Sequence, residues 1–267
     1  MHEVVDPLAR PTPRRRRVSP ALLGLLAVLV IGMAVAGAAV SRSGTGCMFA
    51  GDRCLRVLFI GNSYTSVNDL PGTFARLAAS GGHPVETGMV APGGASLADE
   101  VASPDVATAL AGTRWGAVVL QEQSQLPASA QADTQMIPAV VSLVGTIRAD
   151  GAIPYLLETW AHRDGWPENG QDRARMQAAI DGAYARSAER SGSFVVPVGE
   201  AWQRALVAAP KVALWRDDGS HPSPAGTYLA ACVLYRTMTH ASPLGLSDTG
   251  GLDVATAAQL QQVAAGG

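Results

Sequence analysis

Short apolar runs alternate with longer amphipathic ones from residue 55 to the end of the chain. The apolar runs predict strands at residues 55–60, 84–90, 117–120, 153–157 and 194–198. The stretches between and after them predict helices at residues 70–79, 96–101, 136–149, 172–191, 200–208, 223–238 and 254–264. Runs such as VLFI and AVVL are apolar at every position, which is typical of strands covered on both faces. The pattern predicts an α/β fold, a three-layer sandwich with a central parallel sheet flanked by helices.

A different pattern precedes residue 55. Residues 21–40 are twenty uncharged, almost wholly apolar residues, which as a helix would span roughly 30 Å, the thickness of a bilayer's hydrocarbon layer. Four arginines at residues 14–17 precede the run, so the positive-inside rule places the N-terminus in the cytoplasm and the body outside. A cleaved signal peptide stays an alternative, because small residues near Ala38 offer cleavage sites.

These observations divide the chain into four segments. We predict a basic cytoplasmic tail at residues 1–20, a transmembrane anchor or signal sequence at 21–40, a linker at 41–53 and one folded domain at 54–267. The predicted location is the cell membrane, single-pass with the domain extracytoplasmic, or secreted if the N-terminal segment is cleaved. The sequence predicts no particular oligomeric state.

Composition narrows the function classes. With 48% hydrophobic and 16% charged residues the chain is too apolar to be intrinsically disordered. From residue 43 onward 14 basic residues face 20 acidic ones, and no basic run occurs there. Because nucleic-acid binding depends largely on neutralising phosphates, this acidic body excludes nucleic acid as a partner.

The three cysteines have different predicted states. Cys47 and Cys54 lie close together just after the predicted anchor, where an oxidising compartment would favour a disulfide-closed loop between them. A lipid attached to Cys47 is a less favoured alternative, because the residues before it are not aliphatic. Cys232 lies in an apolar run and is predicted to be a buried core thiol. No spacing typical of metal ligands is present, and we predict neither a metal nor a cofactor.

Polar residues follow the predicted strands at their carboxyl ends, where open α/β sheets bind ligands. Ser63 comes directly after the first strand, on a turn that begins with Gly61. Near the end of the chain, Asp218 and His221 lie three residues apart in one loop, close enough for the carboxylate to contact the imidazole. A hydrolytic serine needs a base within hydrogen-bond reach and a group that orients this base. The three residues can supply these roles.

The motifs GNS at residues 61–63 and DGSH at residues 218–221 resemble the GDS and DxxH blocks of the SGNH or GDSL hydrolase superfamily. Their order along the chain is similar to that superfamily over nearly all of residues 55–240. The resemblance implies that Ser63 is the nucleophile, His221 the base and Asp218 its orienting acid.

The resemblance also implies an oxyanion hole. Gly94, in the Gly-Gly-Ala-Ser run after the second strand, resembles the second-block glycine whose amide joins that of Ser63. Two positions depart from the superfamily pattern: Asn62 replaces the usual Asp, and LQEQSQ at residues 120–125 stands where the third block normally carries an Asn. Gln123 is the first candidate for the third oxyanion donor, because its carboxamide would supply the same N–H. The carboxamides of Gln121 and Gln125 are the alternatives.

The motifs GNSYT, LQEQS and DGSHPS are together similar to a bacterial subgroup of this superfamily whose members are mostly uncharacterised. After the fourth strand, Glu158 and Trp160, with His162 beside them, are candidates for lining a substrate cleft. A Trp after a buried strand is equally consistent with a core position.

The resulting hypothesis is an extracytoplasmic serine esterase that hydrolyses carboxylic esters through an acyl-Ser63 intermediate, with acyl groups on cell-envelope or environmental glycans as the first substrate class. Its partners would be a small-molecule or glycan ester and, through the N-terminal helix, the membrane. One alternative is an acyltransferase that passes the acyl group to a sugar hydroxyl. A second is a catalytically silent glycan-binding module that has lost its third oxyanion donor.

Overall fold

The structure, a computed structural model, describes residues 41–43 and 54–266. The predicted cytoplasmic tail, the predicted membrane segment at residues 21–40 and Cys47 lie outside the described residues. The predicted Cys47–Cys54 disulfide therefore stays a prediction. Among the helices that the structure describes, none combines the length and the apolar character that crossing a bilayer requires.

In the part of the chain that the structure describes, six strands form a single sheet in the order β1-β3-β2-β4-β5-β6. They are β1 (Ser41–Ser43), β2 (Leu55–Ile60), β3 (Val85–Val90), β4 (Ala117–Leu120), β5 (Ile153–Leu157) and β6 (Phe194–Val196). Strands β2 to β6 are parallel, as predicted, whereas β1 pairs antiparallel with β3. The segment predicted as linker thus begins with an edge strand. The last predicted strand ends two residues early, because the helix that follows it begins at Val198.

Helices connect the strands. They are α1 (Ser63–Ser66), α2 (Leu70–Ser80), α3 (Leu97–Val101), α4 (Pro104–Gly112), α5 (Ile137–Ala149), α6 (Arg173–Ser191), α7 (Val198–Ala208), α8 (Pro224–Thr239) and α9 (Val254–Ala264). Two short 3-10 turns, Leu126–Ala128 and Pro167–Asn169, and a π-helical turn, Ala132–Met136, complete the connections. The predicted helices are present, and α1 and α4 are additional to the prediction.

The sheet separates two apolar cores, which confirms the three layers. On β2, Val57 and Phe59 face one core while Leu58 and Ile60 face the other, because successive side chains of a strand point to opposite faces. Helices α2, α7, α8 and α9 cover the first face and α3 to α6 cover the second. Cys232, predicted to be a core thiol, is fully buried in the first core, and burial raises its pKa to about 12.

The order of strands determines where a ligand can bind. The chain leaves β2 for β3 on one side of it and later returns to β4 on the other side, so the carboxyl ends of β2 and β4 flank a topological switch point. A crevice forms at such a point, because the connections that follow the two strands diverge to opposite faces of the sheet. The turn carrying Ser63 follows β2, and the LQEQS segment spans the end of β4.

Candidate active site

Ser63 is the first residue of the short helix α1, directly after β2. Asn62 caps this helix in an extended conformation, and its side-chain oxygen accepts a hydrogen bond of 3.1 Å from the amide of Tyr64. The cap turns the chain sharply enough that Ser63 stays partly exposed at the end of a buried strand. The amide of Ser63 is one of the first N–H groups of a helix, which have no intrahelical acceptor, and it donates to no group among the described residues.

Ser63, His221 and Asp218 form a continuous line of hydrogen bonds. Nε2 of His221 lies 2.9 Å from Oγ of Ser63, and Nδ1 of His221 lies 2.8 Å from Oδ2 of Asp218. The structure therefore brings together the three residues that the sequence predicted as nucleophile, base and orienting acid, across 158 positions of the chain. This geometry lets the imidazole take the serine proton while the carboxylate holds the opposite ring nitrogen.

The other oxygen of Asp218 fixes the loop on which His221 lies. Oδ1 accepts hydrogen bonds of 2.9 Å from the amides of both Ser220 and His221. Partial desolvation acts to raise the pKa of Asp218, but these amide bonds and the contact with His221 outweigh it, so the pKa lies below its ordinary value. Asp218 thus stays ionised at neutral pH, where it can accept a hydrogen bond from a protonated Nδ1 of His221.

Gln121, at the end of β4, holds the turn that carries Ser63. Its Oε1 accepts from the amide of Asn62 at 3.1 Å and from the hydroxyl of Thr65 at 2.8 Å. Its Nε2 donates to Oδ1 of Asn62 at 3.0 Å and to the carbonyl of Glu122. The approach is so close that a Cβ at position 61 would lie 2.6 Å from Oε1 of Gln121, which explains Gly61. Gln121 is buried and its hydrogen bonds are used, so it cannot serve as the third oxyanion donor.

The departure at Asn62 has a physical reason. Besides accepting from Tyr64, its side chain donates through Nδ2 to the carbonyl of Ala95, 2.9 Å away in the loop after β3. A carboxylate at this position has no proton to donate and would face that carbonyl with its own negative charge. Asn62 therefore links the turn that carries Ser63 to the loop that carries Gly94, which an Asp would not do.

Gly94 and Glu122 complete the geometry of the loop after β3. Gly94 has φ of 76°, a conformation that favours glycine, and its amide donates to no group among the described residues. The loop ends at α3, where the amide of Leu97 donates to Oε1 of Glu122 at 3.0 Å. The same oxygen accepts from the amide of Gln123 at 2.6 Å. Burial raises the pKa of Glu122 to about 7.

The carboxamide of Gln123, the first candidate for the third oxyanion donor, is bound to its own loop through its oxygen. Oε1 accepts from the amides of Gln125 and Leu126 at 2.7 and 2.9 Å. These two bonds hold the oxygen of the carboxamide. Its nitrogen, Nε2, lies 3.4 Å from Oγ of Ser124, so one of the two protons on Nε2 stays available. Gln125 enters this arrangement through its backbone, and no bond of its side chain to the site occurs among the described residues.

Two residues outside the predicted site, Tyr64 and Ser220, connect the turn that carries Ser63 to the loop that carries His221. Their hydroxyls share a hydrogen bond of 2.6 Å, and Ser220 Oγ also lies 3.1 Å from Nε2 of His162. The Tyr64 ring packs edge-on against His221, with ring centroids 5.6 Å apart. Burial raises the pKa of Tyr64 to about 12, so its hydroxyl keeps its proton. The sequence signals for them were their adjacency to Ser63 and His221 and their positions within the motifs GNSYT and DGSHPS.

Trp160 lies in the interior rather than in a cleft, which corrects the expectation that it lines a substrate site. It is 1% exposed, with its ring stacked between Tyr64 and Trp202 at centroid distances of 4.8 and 4.1 Å. Its Nε1 donates to the carbonyl of Ser220 at 3.1 Å. Trp160 therefore packs beneath the loop that carries His221 and has almost no exposed surface for a ligand to contact.

Glu158 is also buried, which corrects the second substrate-binding expectation. Its Oε1 accepts from the amide of Glu200 at 3.1 Å, in the first turn of α7. Burial, with the nearby charge of Asp181, raises the pKa of Glu158 to about 8. His162, by contrast, is partly exposed beside the loop that carries His221, and burial lowers its pKa.

The raised pKa of Glu158 predicts a pH dependence of stability. A carboxyl whose pKa is about 8 in the fold but 4.5 in the unfolded chain stabilises the fold when protonated, so this contribution is complete below about pH 4.5 and is lost as the pH rises through 8. Glu158→Gln keeps the acceptor for the Glu200 amide and removes the titration. We expect the free energy of unfolding in urea to fall less between pH 5 and pH 9 in this variant than in wild type.

The control for that measurement is Glu189→Gln, at an exposed position of α6. It should reproduce the wild-type pH dependence. An equal decline in wild type and Glu158→Gln would contradict a titrating Glu158.

Among the described residues, no group of three or more His, Cys, Asp or Glu side chains is placed to hold a metal ion. The site itself offers the hydroxyl of Ser63, the imidazole of His221, the carboxylate of Asp218 and the free amides of Ser63 and Gly94. An arrangement of this kind can perform nucleophilic acyl transfer.

Comparison with solved structures finds the same fold. The chain is 35% identical to a protein from Slackia heliotrinireducens that is assigned to the SGNH hydrolases, with a TM-score of 0.61 over 69% of this chain and 99% of that one. It is 23% identical to a DUF4886 family protein from Bacteroides uniformis, with a TM-score of 0.70 over 80% and 94% of the two chains. An acetyl-xylooligosaccharide esterase from Geobacillus is 18% identical, with a TM-score of 0.53 over 69% and 94%. No protein-family model and no curated protein matches the chain.

Proposed function

Because this chain belongs to the SGNH/GDSL hydrolase superfamily, it is a serine hydrolase that acts on ester bonds, and we propose that Ser63, His221 and Asp218 carry out the reaction. The observation that carries this proposal is the hydrogen-bonded line from Asp218 through His221 to the serine hydroxyl, with distances of 2.8 and 2.9 Å. The same line argues against the silent binding module, because a module without catalysis has no need of an imidazole held in this orientation.

The first half of the reaction forms an acyl-enzyme. Oγ of Ser63 attacks the ester carbonyl carbon while Nε2 of His221 takes the hydroxyl proton. The carbonyl oxygen becomes an oxyanion, and the amides of Ser63 and Gly94 donate to it, joined by the remaining proton on Nε2 of Gln123. The tetrahedral intermediate then collapses, the bond to the alcohol oxygen breaks, and the alcohol leaves with the proton from His221.

The second half returns the enzyme to its starting state. Water attacks the acyl carbon as His221 takes its proton, and the new tetrahedral intermediate releases the free acid while Ser63 regains its hydrogen. Asp218 stays ionised throughout and holds the Nδ1 proton, so that Nε2 presents its lone pair to Ser63 at the start of each half.

Location and substrate class are part of the same proposal. The twenty-residue apolar segment at residues 21–40 and the arginines before it support a membrane-anchored enzyme whose domain lies outside the cytoplasm. An outward-facing enzyme meets acylated glycans of the envelope or surroundings, and one structural relative is an acetyl-xylooligosaccharide esterase. Acetyl groups on sugars are therefore the substrates to test first.

An ester panel with product analysis tests the activity. The full-length protein in mild detergent should release acetate from p-nitrophenyl acetate and from acetylated xylose and glucosamine derivatives, and should leave the matched anilide, p-nitroacetanilide, intact. A free saccharide added as acceptor distinguishes the acyltransferase, because transfer yields an acylated sugar and hydrolysis yields acetate. A folded enzyme that cleaves none of these esters would contradict the proposed substrate class.

A further inference from the structure

A pocket of about 670 Å³ lies beside the loop that carries His221, and apart from Asp218 and His221 none of the residues that line it has a role in the steps above. Trp215, Arg216, Asp217 and His221 form much of its wall, and Val67 closes it on the side of α1. Its volume falls within the range of about 300–1,000 Å³ that small-molecule sites occupy. The pocket therefore has room for one or more sugar rings.

The pocket adjoins the reacting groups. Val67 follows Ser63 by four residues, and its amide donates to the Ser63 carbonyl at 3.0 Å, so the two side chains lie on the same face about one helical turn apart. His221, whose Nε2 is 2.9 Å from Ser63 Oγ, is itself part of the pocket wall. A group in the pocket can thus receive the proton that His221 delivers when the ester bond breaks.

Two charged side chains in the pocket wall have no polar partner within the described residues. Arg216 and Asp217 are both exposed, and within the described residues neither side chain makes a hydrogen bond or an ion pair to the protein. A guanidinium offers several donors in one plane and a carboxylate offers only acceptors. Together they match a ligand that offers both hydrogen-bond acceptors and hydrogen-bond donors on neighbouring atoms, as the hydroxyls of a sugar do.

Trp215 contributes an apolar surface. Its indole N–H is occupied by the carbonyl of Ala161 at 3.1 Å, and its ring packs edge-on against Trp202. The partly exposed ring therefore offers the pocket carbon surface rather than its donor. The flat, apolar C–H face of a pyranose can pack against such a ring.

We propose that this pocket binds the sugar from which the acyl group is removed, with Trp215 against the ring and Arg216 and Asp217 on its hydroxyls. The proposal rests on the esterase function given above. A neutral sugar fits better than an anionic ligand, because two carboxylates, Asp217 and Asp218, share the pocket with the one guanidinium of Arg216. The sugar hydroxyl at the cleaved ester then leaves beside His221.

The kinetic test uses the full-length enzyme and two esters, acetylated xylobiose and p-nitrophenyl acetate. The measured quantity is the ratio of their kcat/KM values, because any effect of a substitution on the triad acts on both substrates and cancels. In Arg216→Ala and in Asp217→Ala we expect this ratio to fall at least ten-fold, through a higher KM for the saccharide. The matched controls Arg190→Ala and Asp150→Ala, at exposed positions elsewhere, should keep the wild-type ratio.

A binding test separates the pocket from the chemistry. Calorimetry with xylobiose and the Ser63→Ala variant should detect binding, and adding Arg216→Ala should weaken it at least ten-fold. If wild type cleaves no ester while this binding is present, the esterase proposal fails and the sugar pocket stands. If esters are cleaved but the ratio and the binding do not respond to Arg216, the sugar pocket is refuted. A gain in activity in Asp217→Ala would indicate an anionic ligand and also refute it.

Discussion

Ser63→Ala should lower kcat for p-nitrophenyl acetate by about 10⁴-fold or more and abolish covalent labelling by a fluorophosphonate probe. The reason is that no other hydroxyl occupies the end of the hydrogen-bonded line from Asp218 and His221 among the described residues. His221→Ala should still present a serine to the probe but reduce the labelling rate sharply, because the hydroxyl then has no base. Labelling followed by intact mass measures both effects.

Ser66→Ala is the matched control for this experiment. Ser66 lies on the same short helix, is similarly partly exposed, and makes no side-chain hydrogen bond among the described residues. It should label and turn over as wild type does. Persistent labelling of Ser63→Ala at the wild-type rate would mean that a different residue is the nucleophile.

Asp218→Asn should reduce kcat by about 10³- to 10⁴-fold while the fold is kept. Asp218 accepts the proton on Nδ1 of His221, which leaves the lone pair on Nε2 facing Ser63. An asparagine can turn its NH₂ group towards Nδ1, and the imidazole then carries its proton on Nε2, where it cannot act as base. Steady-state kinetics on p-nitrophenyl acetate, with circular dichroism to establish folding, measure this.

The control is Asp164→Asn, an exposed carboxylate on a neighbouring loop that pairs only with Arg163 at 3.3 Å among the described residues. It should leave kcat within about two-fold, as exposed ion pairs of this kind contribute little. Wild-type activity in Asp218→Asn would show that the base takes its orientation from another group.

The fold could be predicted largely from local pattern. Strands β2 and β4 are apolar at every position, and in a chain that alternates strands with helices this already implies a parallel sheet covered on both faces. Helix α4 was missed although Ser103 and Pro104 are a helix start signal, because its apolar positions, Val106, Ala109 and Leu110, are few. Strand β1 was missed because three polar residues carry no strand pattern.

The candidate site likewise has one part that the sequence predicts and another that it does not. The sequence by itself was enough to select the groups that we propose to react, because Ser63 follows a strand within a recognisable motif and Asp218 and His221 lie in one loop, where three residues of separation limit their geometry. It also determined that Gly94 occupies a turn.

Only the tertiary structure decided how these groups are held and which of their neighbours are exposed. The bonds from Gln121 to Asn62, from Asn62 to Ala95 and from Tyr64 to Ser220 join residues 33 to 156 positions apart, and no local pattern records such a distance. Burial of Trp160 likewise depends on the two rings that the fold stacks on either side of it. Side-chain chemistry is a property of each residue, whereas accessibility and hydrogen-bond partners arise only when distant segments pack together.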